Sequence, residues 1–351
     1  MEKTVSTRTS STAAKVAAIV LNWENFEATM QCVDSLLSQG YPCLRILIVD
    51  NGSKDDSVKQ LRDGFPQLTI IENHANLGFA KGCNAGVRVA LQDAGCNYVL
   101  LLNNDATLSP GTLENGTRFA QADACIGAIS GKVLFSSARK TLWYAGASFD
   151  RWRGRAVIRA FGETDHGQFD FPCETDLLTG AMMLVKREVF DRVGFLAEEY
   201  FFGYEEWDFS FRAKSAGYKL YYVPDFVAYH TVDGSHRGAE PKFIYNAYRN
   251  KLILQENYLP RPIFPLWKAA FAVYGKYLAR RARERLMRNH PVDVPPQGPL
   301  DEFEFALARA IKDHRKNALS ERALLEFEND LIALRSNSSK SVLSGTDLIS
   351  D

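Results

Sequence analysis

The sequence lacks several features that would place it in a specialised class of protein. Its six cysteines are scattered and none forms a C-x-x-C pair, which argues against a zinc ribbon or a dithiol redox motif. It contains no run of about eighteen apolar residues, so we expect no transmembrane helix. The formal net charge is zero, and no global electrostatic field therefore favours nucleic acid or a membrane.

Signals for export and for disulfide bonding are missing as well. The first fifteen residues are rich in Ser and Thr without an apolar core, so no signal peptide is expected. The cysteines lie mostly in apolar or helical surroundings and are predicted to be free thiols in a reducing compartment. We expect a cytoplasmic protein with a disordered N-terminus over 1–15 and a disordered tail over 336–351.

Four apolar runs of strand length alternate with helical segments in the first part of the chain. The runs cover 16–21, 44–49, 68–72 and 98–102, and the first and third helical segments cover 25–38 and 78–94. The second helical segment follows Ser53, which is predicted to cap it. This βαβ series predicts an α/β fold with a mainly parallel sheet and helices on both faces.

The middle of the chain is predicted to be less regular, and its last part helical. Strands or hairpins are expected over 126–135, 142–159, 175–185, 220–223 and 226–230, with short helices over 186–193 and 204–217. Helical periodicity then covers 243–257, 265–288, 300–313 and 319–334. We therefore expect an α/β domain over 16–238, with halves 16–105 and 106–238, followed by a helical region over 239–335.

Asn or Asp follows each of the first four predicted strands. Asn22 ends the first strand, Asp50 and Asn51 follow the second, Asn76 comes after the third, and Asp105 after the fourth. Ligands of open α/β sheets bind at the carboxyl ends of the strands. Each of these residues alone is also typical of a turn or a helix cap. Four successive strands that deliver them to one edge favour a binding site.

Two segments at this edge carry residues suited to phosphate or metal binding. Asn76 precedes a glycine-rich helix start that includes Lys81, although it matches neither G-x-G-x-x-G nor the G-K-[ST] of a P-loop. Asn103, Asn104 and Asp105 follow the most apolar strand, where a carboxylate suits a hard divalent cation that binds substrate phosphates. Asp105 could equally cap the following turn, an alternative that the sequence leaves open.

A second group of candidate residues lies between 204 and 230. Glu205, Glu206 and Asp208 crowd the start of a predicted helix, where they either compensate the helix dipole or present a general base. Trp207 among them could offer an aromatic face to a sugar ring. His230 ends an apolar strand, and it is either a structural histidine or a further metal ligand at the same edge.

Taken in chain order, these segments resemble the motifs of family 2 glycosyltransferases, and most closely the bacterial rhamnosyltransferase and galactofuranosyltransferase branch. The similar segments are VDNGS at 49–53, NLGFA at 76–80, LLNND at 101–105, TGA at 179–181, YEEWD at 204–208, AYH at 228–230 and YRN at 248–250. The resemblance covers roughly residues 15–260, and the first six of these segments, in order over that span, are a specific signal, to which YRN adds a match to the helix after the catalytic segments.

The resemblance implies an inverting, metal-dependent enzyme of GT-A fold that transfers a sugar from a nucleotide-sugar donor to a hydroxyl of a glycan. The half over 16–105 would bind the nucleotide, and the half over 106–238 would hold the acceptor and the catalytic base. Donors of that branch are dTDP- or UDP-sugars, with rhamnose or another hexose transferred, and the cofactor is Mn²⁺ or Mg²⁺. The products belong to cell-surface polysaccharides such as cell wall or O-antigen.

The same resemblance assigns roles to individual residues. Glu206 would be the catalytic base, with Glu205 and Asp208 as the alternatives, and Asp105 and His230 would bind the metal. The nucleotide-sugar would be bound by Asp50 and Asn22 at the base, by Asn76 and Lys81 near the ribose or diphosphate, and further by Asn51, Asn103, Asn104 and Trp207.

Two departures from the family pattern keep other functions open. Asn103 stands at the first acidic position of the metal motif, as is common in this branch, and Glu205-Glu206 replaces the usual Glu-Asp pair. A catalytically decayed protein that binds a glycan or nucleotide is therefore one alternative. A nucleotidyltransferase is the other, although the first loop, 22–25 (NWEN), lacks the Gly- and Lys/Arg-rich sequence for a triphosphate.

The acceptor side and the helical region give two further expectations. The segment 142–172 is rich in Trp, Tyr, Phe and Arg and either binds the acceptor glycan or forms an ordinary hairpin. The segment 264–290 combines an aromatic face with a basic end. It either contacts the inner face of the cell membrane beside a lipid-linked glycan or packs against the protein or a second subunit of a homodimer. Nucleic acid is not an expected partner.

Overall fold

A computed structural model describes residues 13–231, 241–289, 298–315 and 320–344. The strands are β1 (Val16–Asn22), β2 (Leu44–Asp50), β3 (Thr69–Glu72), β4 (Tyr98–Asn103), β5 (Ala106–Leu108), β6 (Ile126–Phe135), β7 (Leu142–Tyr144), β8 (Ala147–Asp150), β9 (Arg155–Ile158), β10 (Cys173–Glu174), β11 (Met182–Lys186) and β12 (Lys219–His230). The helices are α1 (Phe26–Leu37), α2 (Ser57–Gly64), α3 (Phe79–Leu91), α4 (Thr112–Gln121), α5 (Arg187–Val193), α6 (Glu205–Ser215), α7 (Pro241–Tyr258), α8 (Phe264–Asn289), α9 (Gly298–Asp313) and α10 (Glu321–Ser344).

One mixed sheet organises the α/β domain, in the order β10-β12-β6-β11-β4-β1-β2-β3. Strands β3, β2, β1 and β4 are parallel, whereas β11 is antiparallel to both β4 and β6. Because β12 is parallel to β6, its C-terminal residue His230 lies at the same edge as the carboxyl ends of β1, β2 and β4. The residues that precede β11 reach this edge too. We call it the carboxyl edge.

The strands alternate their side chains between two apolar cores, one on each face of the sheet. Val16, Ala18 and Val20 of β1 face a core shared with α1, α2, α4 and β12. Ala17 and Ile19 face a core shared with α3, α5 and α6. The near-continuous apolar strands predicted from the sequence are therefore explained by burial on both faces.

Glycines allow α3 to lie close against the sheet. A Cβ at Gly82 would come within 2.7 Å of Leu21, and one at Gly86 within 2.6 Å of Ile19. Close packing of α3 on the sheet therefore accounts for glycine at both positions.

The last four helices form a second layer of apolar contacts. Helix α9 packs against both α7 and α8, and α10 completes a small core around Tyr245, Phe303 and Phe327. Phe201 of the α/β domain packs against this core, so the helical region adjoins the segment that precedes α6. In the described part of the chain, no helix is both long and apolar enough to cross a membrane.

The structure corrects several boundaries predicted from the sequence. A single strand, β12, replaces the two strands expected around Pro224, because a register shift between Val223 and Val227 absorbs the proline within the ladder. Residues 175–181, predicted as strand, precede β11 as an irregular segment. Ser53 does not cap α2: the N-cap is Asp56, and the Ser53 hydroxyl bonds elsewhere. Strand β5 and helix α4 were not predicted.

Both terminal predictions are also revised where the structure describes the chain. Ala14 is buried and the Lys15 amide donates to the side chain of Asn97, so disorder over 13–15 is wrong. Helix α10 continues to Ser344, so the tail expected over 336–351 is helical up to that residue. Residues 1–12 and 345–351 lie outside the described residues, as do 232–240, where the predicted domain boundary falls.

Candidate active site at the carboxyl edge of the sheet

Asp50, at the end of β2, organises the turn that follows it. Its Oδ1 accepts from Asn22 Nδ2 at 2.9 Å and from Ser53 Oγ at 2.6 Å. Its Oδ2 accepts from the amides of Gly52 at 3.1 Å and Ser53 at 3.0 Å. A carboxylate offers about four acceptor positions, so protein donors occupy them all. Asp50 is buried and has the contacts of a structural cap.

Asn51 joins the turn after β2 to the segment before α3. Its Nδ2 donates to Asn76 Oδ1 at 3.1 Å, and its Oδ1 accepts from Asn73 Nδ2 at 3.1 Å and the Leu77 amide at 3.2 Å. Gly52 is required here, because a Cβ at this position would lie 2.5 Å from the backbone of Ala75. Asn51 and Asn76 are thus brought together, as predicted, and fix the local backbone.

A chain of hydrogen bonds connects the ends of β1 and β4. Thr29 of α1 donates through its hydroxyl to Asn22 Oδ1 at 2.7 Å and accepts from Asn104 Nδ2 at 3.0 Å. Since Asn22 also donates to Asp50, three strand ends form one network. We call Asn22, Thr29, Asp50, Asn51, Ser53, Asn76 and Asn104 the saturated cluster, because their side chains find partners within the protein.

Asp105, which follows β4, and His230, at the end of β12, lie next to each other at the carboxyl edge. Asp105 Oδ1 lies 3.0 Å from His230 Nε2, and Asn103 Nδ2 lies 3.4 Å from the same nitrogen. Strand pairing produces this meeting, because His230 pairs with Ala106 across β12 and β5. The ring of Trp143 contacts His230 edge-on, with centroids 4.8 Å apart, and limits its movement.

This group has the character of a cation site. Asn103 Oδ1 and His230 Nδ1 are buried and form no hydrogen bond, and the buried Asp105 Oδ1 faces the ring nitrogen Nε2 of His230 at 3.0 Å. If Nε2 of His230 accepts from Asn103, its lone pair also faces the Asp105 oxygen, an arrangement that a cation would stabilise. Within the described residues no group of three or more His, Cys, Asp or Glu could hold a metal. A carboxylate oxygen and an imidazole nitrogen are donor types that bind divalent cations, and two protein ligands leave positions for water or substrate phosphate.

Two buried carboxylates occupy the start of α6. Glu205 is buried and Glu206 half-buried, and Oε2 of each is buried without a hydrogen-bond partner. Burial raises the pKa of Glu206 to about 7, against the lowering effect of the amides of Glu206 and Tyr204 at the helix start. Burial, and then the charge of Glu206, raise the pKa of Glu205 well above its usual range. Such a shift suits a general base that works near neutral pH.

Asp208, the third acid of the segment, is fully engaged elsewhere. Its Oδ2 accepts from Arg212 Nε at 2.7 Å, and its Oδ1 accepts from the hydroxyl of Tyr258 at 2.7 Å. Arg212 also donates to the carbonyls of Val193 and Phe195. The arrangement is a buried ion pair that ties α6 to its neighbours, and it leaves Asp208 poorly placed to take a proton.

Phe79 connects the acids of α6 with the carboxyl edge. Its amide donates to the carbonyl of Phe201 at 2.7 Å, and its ring lies 3.7 Å from the position of a Cβ on Gly180. Gly180 precedes Ala181, whose carbonyl accepts from the Asn103 amide at 3.1 Å. The TGA segment at 179–181 therefore lies between the end of β4 and Phe79, and Phe79 in turn holds the loop that precedes Glu205 and Glu206.

Lys81 and Trp207, both predicted to bind the nucleotide-sugar, are not part of the saturated cluster. Lys81 is exposed on α3, where its charge acts on Glu198. Trp207 packs against Tyr204, with centroids 4.3 Å apart, and near Phe149 of β8 at 6.2 Å. Phe149 belongs to the hairpin predicted to bind the acceptor, so Trp207 lies on the acceptor side.

A cavity of about 300 Å³ lies beside the saturated cluster. It is lined by Asp50, Gly52, Ser53, Lys54, Val58, Glu72, His74, Ala75, Asn76 and Glu321. Its position at the ends of β2 and β3 is that expected for a nucleotide base. Glu321, from the start of α10, was not predicted, and nothing in the local sequence around it signals a binding role.

Further residues of the site were missed for the same reason. Thr29 connects Asn22 and Asn104, Trp143 contacts His230, and Asn250 of α7 donates to the loop before Glu205. Thr29 and Asn250 form hydrogen bonds with partners more than forty positions away, and Trp143 contacts His230 from a different strand. Only Asn250 lies in a segment, YRN at 248–250, that the resemblance singled out.

The mixed sheet, its polar carboxyl edge and the acidic helix start define a GT-A type α/β protein. The chain belongs to glycosyl transferase family 2, whose family model matches residues 19–194. It is 27% identical over 207 residues to an N-acetylglucosaminyl-diphospho-decaprenol L-rhamnosyltransferase of Mycobacterium tuberculosis, covering 53% of this chain and 66% of that protein. The chain thus aligns with just under two thirds of this relative's length.

More distant relatives cover a larger share of the chain. It is 21% identical over 257 residues to the low-salt glycan biosynthesis hexosyltransferase Agl10 of Haloferax volcanii, covering 71% of this chain and 78% of that one. The mannosyltransferase PcManGT of Pyrobaculum calidifontis, solved with GDP-Man and Mn²⁺, superposes with a TM-score of 0.53 at 17% identity over 86% of both chains.

A second solved structure, GalNAc-T7 with UDP, GalNAc and Mn²⁺, superposes with a TM-score of 0.57 at 14% identity. The superposition covers 90% of this chain and 56% of that one. These likenesses confirm the predicted family and fold. They give no support to a nucleotidyltransferase.

Proposed function

We propose that this protein is an inverting glycosyltransferase that moves a hexose from a nucleotide-sugar to a hydroxyl of a glycan or lipid-linked glycan. The observation that carries the proposal is the group of buried, unpartnered polar atoms at the carboxyl edge and the start of α6. Such atoms are costly in a folded protein unless a ligand, a cation or a proton satisfies them. Family membership identifies the ligand class as a nucleotide-sugar.

Glu206 is the proposed base. Its carboxylate takes the proton of the acceptor hydroxyl as that oxygen attacks the anomeric carbon and the bond to the nucleotide diphosphate breaks. Attack from the face opposite the leaving group inverts the anomeric configuration. Burial and the charge of Glu206 raise the pKa of the neighbouring Glu205 and so oppose its ionisation. Glu206 is preferred over Asp208 because Asp208 is held by Arg212 and Tyr258.

Asp105 and His230 are the proposed protein ligands of a Mn²⁺ or Mg²⁺ ion, with Asn103 beside them. When bound, the ion offsets the charge that develops on the departing diphosphate. The chain's own part is to hold these ligands: strand pairing fixes His230 against Ala106, and Trp143 supports the ring. The neighbours solved with Mn²⁺ support a divalent ion as the cofactor.

The nucleotide is proposed to occupy the cavity beside the saturated cluster. Asp50 and Asn51 shape its wall through the turn they stabilise, and Glu321 closes one side. The solved neighbours hold GDP-Man and UDP. We propose a dTDP- or UDP-sugar as the donor, the class that the motifs' resemblance to the rhamnosyltransferase and galactofuranosyltransferase branch implies.

The acceptor side is proposed to lie against an anionic membrane surface. Helix α8 exposes an apolar stripe at helical spacing, with Leu266 75%, Val273 76% and Tyr277 50% exposed. The sequence 280–288 that follows contains five arginines and one glutamate. The hairpin of β8 and β9 docks on this helix, because Trp267 Nε1 donates to the carbonyl of Trp152 at 2.7 Å. An apolar stripe beside basic residues suits an anionic lipid surface.

Vesicle flotation tests the membrane contact. We expect the protein to bind phosphatidylcholine vesicles that contain phosphatidylglycerol at low salt, and Val273→Glu to weaken binding. Ile332→Glu is the matched control, because Ile332 is an equally large apolar side chain, 59% exposed, on α10. Equal binding by both variants, or none by the wild type, contradicts the proposal. A concentration-dependent dimer that Val273→Glu abolishes would identify the stripe as a subunit interface instead.

The transfer activity is tested with a panel of nucleotide-sugars. We expect one donor to raise the melting temperature in the presence of Mn²⁺ and to be hydrolysed slowly or transferred to a glycan acceptor. Glu206→Gln should retain the shift in melting temperature and lose transfer. A panel in which no sugar-nucleotide binds or turns over would contradict the enzymatic function and favour a decayed binding protein.

A further inference from the structure

Helix α7 carries three buried polar side chains on one face, within five residues of each other. Asn246, Arg249 and Asn250 are 8%, 1% and 0% exposed, respectively. Amides and guanidinium groups are costly to bury unless their donors are used. The same helix also buries Leu252 and Leu254, and one further polar side chain, Gln255, which donates to the carbonyl of Arg151.

All three side chains donate to the same short loop, residues 199–203. Arg249 Nη1 donates to the carbonyl of Glu199 at 3.0 Å. Asn250 Nδ2 donates to the carbonyls of Phe202 at 3.1 Å and Gly203 at 2.8 Å. Asn246 Nδ2 also donates to the carbonyl of Phe202, at 2.5 Å. Within the same loop, the carbonyl of Phe201 accepts from the Phe79 amide at 2.7 Å.

The loop needs external support because its backbone is strained where it enters α6. Gly203 has φ +79° and Tyr204 has φ +81°. For a non-glycine residue this left-handed conformation costs on the order of 1–3 kcal/mol and persists only where the surroundings impose it. Tyr204 immediately precedes Glu205 and Glu206, so its conformation sets the direction in which both carboxylates point.

We propose that Asn246, Arg249 and Asn250 are positioning residues, through which α7 holds the loop 199–203 and thereby aims the carboxylate of Glu206 at the reaction centre. The inference rests on the proposed function of Glu206. None of the three side chains needs to touch the substrate. Their effect passes through the backbone carbonyls they hold, and Asn250 has the largest share because it holds the two carbonyls nearest to Tyr204.

A purely structural role of α7 would give a different result from a positioning role. Tyr245, on the same helix, is buried and donates through its hydroxyl to Asp313 of α9 at 3.2 Å, away from the loop. Tyr245→Phe removes one buried hydrogen bond without touching 199–203. It is therefore the matched control for Asn250→Ala, since both variants should lower the melting temperature by a similar few degrees.

Kinetics give the first readout. Misplacing a catalytic group by about 1 Å costs roughly 100-fold in rate, so we expect Asn250→Ala to lower kcat roughly 10- to 100-fold with little change in the donor KM. Tyr245→Phe should keep kcat. The acidic limb of the kcat–pH profile should also move in Asn250→Ala. The titratable groups beside Glu206 are Glu205 and Tyr204, and Tyr248 of α7 acts on Tyr204.

Hydrogen exchange gives a readout that does not depend on turnover. Peptides that cover 199–208 should exchange faster in Asn250→Ala than in the wild type or in Tyr245→Phe. Unchanged exchange in this segment, or an unchanged kcat and pH profile in a variant that has lost melting temperature, overturns the positioning role. The proposed function fails separately, if Glu206→Gln keeps wild-type turnover.

Discussion

Two groups of polar residues lie side by side at the carboxyl edge, and they differ in how completely the protein satisfies them. In the saturated cluster, Asp50 accepts four hydrogen bonds and Asn51 both donates and accepts. In the second group, atoms of Asn103, Glu205, Glu206 and His230 are buried without partners, and the buried Asp105 Oδ1 faces a ring nitrogen of His230 at 3.0 Å. We call these five the unsatisfied group.

On the proposed function, the contrast separates residues that shape the site from residues that act in it. A buried polar group with a full set of partners contributes to stability, and its surroundings gain little from a ligand. A buried group without partners opposes folding until a proton, cation or substrate satisfies it. Stability lost at functional residues in this way is a recurring feature of active sites.

The largest expected effect comes from the base. Glu206→Gln should lower kcat by about 10²- to 10⁴-fold, because a positioned general base contributes that much to the rate. Donor affinity should be unchanged, since the carboxylate acts on the acceptor. Single-turnover transfer and donor binding, measured on the same preparation, separate the two quantities. The isosteric Asp208→Asn is the control, and an equal loss there would move the base to Asp208.

The second-largest effect is expected from the proposed metal ligand Asp105. Asp105→Asn should reduce turnover roughly 100-fold at limiting Mn²⁺, because the ion stabilises the leaving group. Of the two proposed protein ligands, Asp105 is the carboxylate, and the variant removes its charge. Raising the Mn²⁺ concentration should restore part of the activity. Titrations of activity against Mn²⁺ measure this, and an unchanged midpoint would remove Asp105 from the metal site.

The pH dependence sharpens the comparison, since it moves activity and stability in opposite directions. With the pKa of Glu206 raised to about 7, kcat should rise with pH through that value as the base ionises. The pKa in the folded state lies above the ordinary glutamate value of 4.5, so the associated stability is complete below about 4.5 and is lost as pH rises through about 7.

Glu206→Gln, which cannot ionise, should flatten this pH-dependent loss of unfolding free energy. Chemical denaturation of both proteins at several pH values is the measurement. A wild-type stability that instead increases between these pH values, by more than it does in the variant, would contradict burial as the cause of the shift.

The smallest expected effect on turnover belongs to the saturated cluster. Asp50→Asn replaces one acceptor oxygen by a donor that faces the amides of Gly52 and Ser53, or the side chains of Asn22 and Ser53. We expect a loss of about 1–3 kcal/mol in unfolding free energy, the cost of leaving buried groups unpaired. Denaturation in the absence of donor measures it. Unchanged stability with a large rise in donor KM would make Asp50 a direct ligand of the base.

How far the sequence alone predicts this arrangement depends on whether a signal is local. The alternation of apolar runs and helices predicts β1 to β4 and the edge where Asn22, Asp50 and Asp105 lie, because strand direction and sheet burial follow from short-range patterns. It does not predict that β11 inserts antiparallel between β4 and β6, which depends on long-range pairing.

The same distinction applies to the side chains. Motif similarity selects Glu206 and His230, yet it does not reveal that Asp50 is saturated or that Asp208 is paired with Arg212. Those properties arise from hydrogen-bond partners, which the spacing of one sequence does not encode. Likewise, Asn250 acts on a loop forty-seven positions earlier, a separation at which no periodicity in the chain could indicate contact.

Crystals of the protein with Mn²⁺ and a nucleoside diphosphate test the central claim most directly, through the anomalous scattering of manganese. The account predicts a peak bound by Asp105 and His230, with the diphosphate on the ion and the Glu206 carboxylate facing it across the space left for the sugar. A manganese peak away from both residues, or a Glu206 carboxylate turned from the diphosphate, would contradict it.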